Sequence, residues 1–185
     1  EKFGRAPLPP YIKRKRNSAR SPQDLERYQT VYARVKGSVA APTAGLHFTP
    51  EVFDRLQSRG VKIAPVTLHA GYGTFLPIET SRVEDHVMEE EHFTISAETA
   101  EKVNGAKRVI AVGTTVVRAL ETAAGQGWPL RPGKGRTDLL ITPGHTFKAV
   151  DGLITNFHLP RSSLLFLVSA FAGTERIRRA YRWAV

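Results

Sequence analysis

VIAVGTTVVRALE, residues Val109 to Glu121, changes its hydrophobic period halfway along. Lys107 to Val112 reads as a strand, and Val116 to Ala124 carries its apolar residues at helical spacing until Gly125 closes it. Between them stands Gly113-Thr114-Thr115. Two hydroxyls at a helix N-terminus make a pocket for an anion or a hydroxyl-bearing ligand, where free N–H groups and the helix dipole point outward. Taken alone, the same residues also describe an ordinary capped helix.

The strand-to-helix step recurs in both directions from this block. Val61 to His69 and Phe93 to Ile95 read as strands, and Ser96 caps a helix that stops near Gly105. Thr49-Pro50-Glu51 starts another helix with a hydroxyl cap, a proline in the first turn and an acid against the dipole. Val52, Phe53 and Leu56 then face inward, and Gly60 ends the helix. Asp24 to Arg34 reads as a helix with Leu25, Tyr28, Val31, Tyr32 and Val35 on one stripe, and Val39 to Thr43 is strand-like. Leu8 to Ile12, LPPYI, is extended, because each proline fixes its own φ and restricts its predecessor. Gly125 to Gly135 reads as loop, Leu139 to Thr142 and Leu153 to Asn156 as strands, and Ser162 to Ala172 as a helix apolar on almost every side, hence buried. Alternating strands and helices predict an α/β fold, a parallel sheet with covering helices.

Composition sets limits. The chain has 185 residues, enough for one domain with a real core, and 41% hydrophobic with 24% charged residues is ordinary for a globular protein. The longest apolar run, Leu164 to Phe171, is interrupted by Ser169 and is far shorter than a membrane span. No basic-then-apolar leader precedes Leu8, and the absence of cysteine excludes disulfides, thiolate metal sites and a cysteine nucleophile; a cytoplasmic protein is expected. The formal charge of +10 is concentrated at the ends. Glu1 to Arg20 carries seven basic residues against one acid, and Thr174 to Val185 carries four against one. Such arms either engage phosphates through counterion release or simply stay solvated.

The polar residues gather where the predicted strands end: Thr43 with His47, His69, Thr114 with Thr115, and Asn156 with His158. In parallel α/β folds the site lies at the carboxyl ends of the strands. GSVAAPTAGLHFT (Gly37 to Thr49) supplies small residues, Gly45 among them, that allow close backbone approach, with His47 just before a helix N-terminus. VTLHAGYGTF (Val66 to Phe75) places His69 at a strand end, with Gly71 and Gly73 loosening the turn that follows. Each histidine is either a satisfied structural residue or a group that exchanges a proton near neutral pH. Gly71-Tyr72-Gly73 starts like a dinucleotide fingerprint, but Leu76 replaces the third glycine. His86 and His92 with Glu89, Glu90 and Glu91 fit a hydrated acidic loop better than a metal site. Asn156, His158 and Arg161 are bunched before the apolar helix, a set suited to a carboxylate plus a base or ribose.

Together the runs LPPYI, ERYQTVYA (Glu26 to Ala33), GSVAAPTAGLHFT, VTLHAGYGTF, VIAVGTTVVRALE, and TDLLITPG (Thr137 to Gly144) through TNFHLP to LVSAFAG resemble the S-adenosylmethionine:tRNA ribosyltransferase-isomerases of queuosine biosynthesis, the QueA family. They occur in the family's order and span nearly the whole chain. The family's Thr-Phe-Arg-Pro is here Thr74-Phe75-Leu76-Pro77, its His-x-Met-His-x-Glu is His86-Val87-Met88-Glu89-Glu90-Glu91, and the join from Asn104 to Arg108 is short.

The resemblance implies a barrel-like, parallel-rich α/β catalytic domain over residues 1–185, with a basic arm at 1–20, a helical end at 174–185, and the family's inserted β-barrel absent. It implies transfer and isomerisation of the ribosyl group of S-adenosylmethionine onto 7-aminomethyl-7-deazaguanine at the wobble position of tRNAs with queuosine-type anticodons. Epoxyqueuosine forms, adenine and methionine leave, and no metal takes part. On this reading His69 or His47 transfers the proton. Thr43, Gly45, Gly71, Gly73, Thr114, Thr115, Asn156 and His158 position the cosubstrate, and Arg118 or Arg161 holds a carboxylate or phosphate. Lys13, Arg14, Lys15, Arg16 and Lys148 contact tRNA. The competing expectations are a non-catalytic RNA-binding paralogue of the same fold and a conventional methyltransferase; the latter lacks its acidic-Gly-x-Gly run here.

Overall fold

Val117, Ala119, Leu120 and Ala124 are all but fully buried, so the helix that carries them, α4 (Thr114–Gln126), lies inside the protein rather than on it. The computed structural model describes residues 8, 12, 22–71 and 77–184. Before α4 come α1 (Pro22–Arg27), a 3₁₀ turn (Thr43–His47), α2 (Pro50–Ser58), β1 (Val66–His69), a short 3₁₀ turn (Val83–Asp85), β2 (Glu91–Ile95), α3 (Ala97–Asn104) and β3 (Ile110–Val112). After it follow β4 (Gly133–Thr137), β5 (Gly152–Ile154), α5 (Ser163–Ala172) and α6 (Thr174–Ala184).

The α/β class stands, with mixed pairing. β1, β2 and β4 form an antiparallel sheet with β2 in the centre, and among the described residues only β3 and β5 pair in parallel. Connectivity explains the departure from a parallel-rich sheet. β1 reaches β2 without a crossover helix, so the chain can return antiparallel, whereas α4 lies on the path from β3 to β5. Inward residues of β2, Phe93 and Ile95, meet Ala100 and Val103 of α3, the buried face of α4, and Leu167 and Val168 of α5. Each of the large fully buried side chains, Ile95, Ile141 and Leu167, contributes about 2–3 kcal/mol by leaving water.

Local chemistry accounts for the helix starts. Thr49 Oγ1 accepts from Val52 N at 3.4 Å, and Ser96 Oγ from Thr99 N at 3.1 Å. The ends of α2 and α4 differ in detail from the sequence reading: Gly60 follows the cap residue Arg59, and Gly127 rather than Gly125 closes α4.

Several expected elements take other forms. The predicted helix from Asp24 ends at Arg27, leaving Val31 and Val35 exposed while Tyr32 packs edge-on against Phe53. Val39 to Thr43 is not a strand; Val39 N and Ala40 N both bond the Ala70 carbonyl. Leu139 to Thr142 buries Ile141 as irregular chain, because the Leu139 carbonyl is taken by Arg118 instead of a neighbouring strand. β4 lies partly within the expected loop, hidden by its composition, GKGRT. Gly135 stands opposite Phe93, where a Cβ would collide with the ring, so packing demands the glycine that reads as loop. α5 is apolar, yet only Leu167 and Val168 are fully buried and Leu164 and Phe166 stay partly exposed. No helix among the described residues is long and apolar enough to cross a membrane.

Two opposite charges anchor α4. Arg118, 3% exposed, donates from Nη1 to Glu91 Oε2 at 2.9 Å, from Nε to the Leu139 carbonyl at 3.0 Å and from Nη2 to the Thr137 carbonyl at 3.3 Å. Burial pulls the guanidinium pKa down, and Glu91 with Asp138 opposes that. One turn later, Glu121 accepts the backbone N–H groups of Lys148, Ala149 and Val150 at 2.8, 2.9 and 3.1 Å. The helix thereby ties the β2–β4 sheet on one side to the 148–150 segment on another. Replacing Glu91 by Gln strands a buried guanidinium; urea unfolding should show a loss of about 3–5 kcal/mol.

Candidate active site

A parallel pair brings the carboxyl ends of its strands to the same side, and β3 and β5 each run into polar residues there. β3 ends at Gly113, whose φ of 98° lies in the left-handed region that glycine tolerates, and its N–H donates to the Ile154 carbonyl at 2.9 Å. Thr114 and Thr115 then open α4, while Thr155 and Asn156 follow β5. The 3₁₀ turn adds a third segment. Its His47 Nε2 lies 2.9 Å from Asn156 Oδ1, across 109 residues of sequence. An amide oxygen only accepts, so in this arrangement Nε2 carries the hydrogen and Nδ1 is the ring's free acceptor. The turn is tight: Gly45 N donates to the Pro42 carbonyl at 2.7 Å, and a Cβ on Gly45 would collide with the Tyr32 hydroxyl.

His69 ends β1, directly across from His92 of β2. Its Nδ1 is buried and has no hydrogen-bond partner among the described residues. Gly37, at φ 137°, lies so close that a Cβ there would stand 2.7 Å from that nitrogen. The neighbouring chain is locked to the strand end. Ser38 Oγ donates to the Ala40 carbonyl at 2.8 Å and accepts from Ala70 N at 3.1 Å, while Val39 N bonds the Ala70 carbonyl at 3.0 Å. A Cβ on Gly71 would touch Glu89 Oε2 at 3.4 Å.

The loop after β5 is held from two directions. His158 N donates to the Tyr181 hydroxyl at 2.6 Å, and the His158 ring lies 3.2 Å from Thr155 Oγ1. Burial pushes the His158 pKa down to about 4, so the ring is neutral at physiological pH. Arg161 takes a left-handed φ of 61°, donates from Nη2 to the Ile78 carbonyl at 3.1 Å and accepts from Ile78 N at 2.7 Å.

These segments meet at a cleft of about 2680 Å³, which Thr43, Thr114, Thr115, Asn156 and His158 line together with Val66, Leu68 and Val112. His47 reaches it through Asn156, and His69 borders it through Gly37 and Ala70. Gly45 and Arg161 adjoin lining residues, as Gly71 does at Ala70, without lining the cleft themselves. Arg118 is corrected by the structure: its guanidinium is committed to the core and offers the cleft no cation. Lys148 is exposed away from the cleft lining, its backbone held by Glu121. Lys13, Arg14, Lys15, Arg16 and Gly73 lie outside the described residues. Strand alternation sends Glu91 inward and His92 outward, and Glu90 pairs with Arg136 at 3.3 Å. Among the described residues no group of three or more His, Cys, Asp or Glu is placed to hold a metal ion.

Tyr181, Ser38, Glu91 and Glu121 escaped the sequence reading. Arg118 and Glu121, three apart in an otherwise apolar helix, were a visible sign of buried charge. Nothing local distinguishes Tyr181, because its partner is a backbone N–H distant in sequence.

A family profile described as queuosine biosynthesis protein matches residues 1–185. The chain is similar to an S-adenosylmethionine:tRNA ribosyltransferase-isomerase of Syntrophus aciditrophicus, 56% identical over 185 residues, which are 100% of this chain and 51% of that protein. A protein of the same name from Carboxydothermus hydrogenoformans is 57% identical over 187 residues, 99% of this chain and 53% of its own. The crystal structure of an S-adenosylmethionine tRNA ribosyltransferase from Thermotoga maritima superposes with a TM-score of 0.62 at 43% identity, covering 76% of this chain and 45% of that one. The chain spans about half the length of the curated relatives it matches.

The depressed His158 pKa has a consequence for stability. The native state holds the ring neutral, so between the ordinary 6.5 and about 4 the unfolded chain binds the extra proton. Stability is fully present above pH 6.5 and falls on acidification through that window, by on the order of 2 kcal/mol. Denaturation at a series of pH values should show this component in the wild type and lose it in His158→Asn.

Proposed function

The chain belongs to the queuosine biosynthesis protein family, and on that footing we propose that it carries the chemical centre of a tRNA-modifying transferase and isomerase. The observation that carries the reading is the convergence of Thr114, Asn156 and His47, from three distant segments, at the carboxyl ends of the parallel pair. The cosubstrate is S-adenosylmethionine, and the acceptor is a 7-aminomethyl-7-deazaguanine already in place at the wobble position of tRNA. The cleft's volume exceeds the few hundred to about 1000 Å³ that a small ligand fills, which leaves room for a nucleotide of the RNA beside the cosubstrate.

In this proposal the sulfonium acidifies the adjacent C5′ hydrogens of the ribose, and a histidine removes one of them. His69 suits the task through a buried, unpartnered Nδ1 beside the cleft, and His47 through an Nδ1 left free while Nε2–H is held by Asn156. The ribosyl group passes to the acceptor amine and is rearranged to the epoxycyclopentanediol of epoxyqueuosine, with adenine and methionine leaving. Thr43, Gly45, Gly71, Gly73, Thr114, Thr115 and Asn156 position the cosubstrate. The neutral His158 ring donates or accepts a hydrogen bond without adding charge, and Arg161 is the cation for the methionine carboxylate or a phosphate. Lys13, Arg14, Lys15, Arg16 and Lys148 contribute phosphate contacts that weaken as salt rises. A cytoplasmic location accompanies a tRNA substrate.

Nucleoside mass spectrometry tests the reading. Complete protein incubated with S-adenosylmethionine and a tRNA carrying the deazaguanine precursor should yield epoxyqueuosine, with adenine and methionine released. Formation of S-adenosylhomocysteine would identify a methyltransferase instead, and an unchanged tRNA would leave an RNA-binding module. His69→Ala should abolish turnover while tRNA affinity stays within about three-fold; full activity would remove His69 from the chemistry.

A further inference from the structure

α6 has two unlike faces. Ile177 and Tyr181, one turn apart, point inward: Ile177 packs against the core, and the Tyr181 hydroxyl accepts from His158 N at 2.6 Å. The opposite arc carries Arg176, Arg178, Arg179, Arg182 and Trp183, all exposed, with Glu175 the only acid of the helix. Arg178 pairs with Glu175 at 2.9 Å in a solvated contact, a kind of pair that contributes little. Arg176, Arg179 and Trp183 fall on one stripe at intervals of three and four residues, and Arg182 flanks it. Trp183 is 87% exposed, an unusual place for an indole with no intramolecular function.

We infer that the outer face of α6 is an RNA-contact surface: Arg176, Arg179 and Arg182 bind backbone phosphates, and Trp183 stacks on an unpaired base. Guanidinium groups around an exposed aromatic ring are the elements with which single strands are held, the cations tracking the backbone and the ring taking a base. A lipid surface fits the helix less well. Interfacial helices need a broad apolar face, and here the large apolar residues, Ile177 and Tyr181, are turned inward, leaving Trp183 as the only large apolar side chain outside. The surface is also continuous with the cleft. Phe157, 64% exposed and lining the cleft, packs edge-on against Tyr181 at 4.9 Å between ring centres. An RNA strand on α6 therefore leads across Phe157 to the polar ends of β3 and β5, and the same helix fixes the loop it passes. The inference rests on the proposed reading that the cleft acts on a base of tRNA.

The test uses the complete protein and a fluorescein-labelled tRNA anticodon stem-loop, with affinity read by anisotropy over a range of salt. The triple variant Arg176→Ala, Arg179→Ala, Arg182→Ala should bind at least about ten-fold more weakly near 0.1 M salt, and its log–log salt slope should fall by about 2. The matching triple lysine variant should recover affinity to within about three-fold, which a collapsed helix would not allow. Trp183→Ala should cost several-fold in affinity with the slope unchanged. Wild-type affinity and slope in the triple alanine variant would overturn the inference. So would selective loss of binding to phosphatidylserine vesicles with RNA binding intact. S-adenosylmethionine titrations on the same proteins keep the two readings apart. RNA binding that needs α6 in a protein that binds no S-adenosylmethionine would sink the proposed function and uphold this surface. A triple variant that binds RNA normally and still modifies tRNA would do the reverse.

Discussion

A buried arginine and a buried glutamate on a single helix constrain most of this fold. Neither Arg118 nor Glu121 can be left without partners in the interior, since an uncompensated buried charge costs several kcal/mol. Arg118 meets this demand by gathering Glu91 and two carbonyls from the sheet side, and Glu121 by gathering three consecutive N–H groups from the 148–150 segment. Those bonds determine where α4 lies, and the position of α4 determines where its first turn opens. Thr114 and Thr115 face the cleft because the rest of their helix is pinned from both sides.

What could be read from the sequence follows the range of the interactions. Local signals were dependable: the caps at Thr49 and Ser96, the strand–glycine–helix step at Gly113, and the gathering of polar residues at the ends of β3 and β5. All depend on neighbours within a few residues. Pairing partners were less accessible. β4 escaped notice because Gly135 is demanded by the Phe93 ring across the sheet. Leu139 to Thr142 imitated a strand because apolar alternation does not reveal that Arg118 takes its carbonyl. Arg118 itself was read as a ligand-binding cation; its sequence neighbours did not show that Glu91, 27 residues away, had claimed it.

The cleft is assembled from imidazoles, hydroxyls and an amide, with fixed charge kept back. His158 is held neutral by burial, His47 is oriented by Asn156, and the nitrogen of His69 is enclosed without a partner. Proton transfer needs groups of this kind, poised near neutrality and held in place by the surrounding scaffold. The positive charge is segregated to the exposed arc of α6 and to the amino-terminal arm, where long-range attraction can act on an anionic partner without distorting the polar pocket.

The account stands on the claim that the carboxyl ends of β3 and β5 bind S-adenosylmethionine. Isothermal titration of the complete protein with that compound, comparing wild type with Asn156→Leu, tests it most directly. The change removes both a cleft-lining amide and the anchor of His47, so affinity should fall by more than about ten-fold, on the scale of a lost hydrogen-bonding group in a buried site. An Asn156→Leu protein that is correctly folded and binds S-adenosylmethionine as tightly as wild type would contradict it.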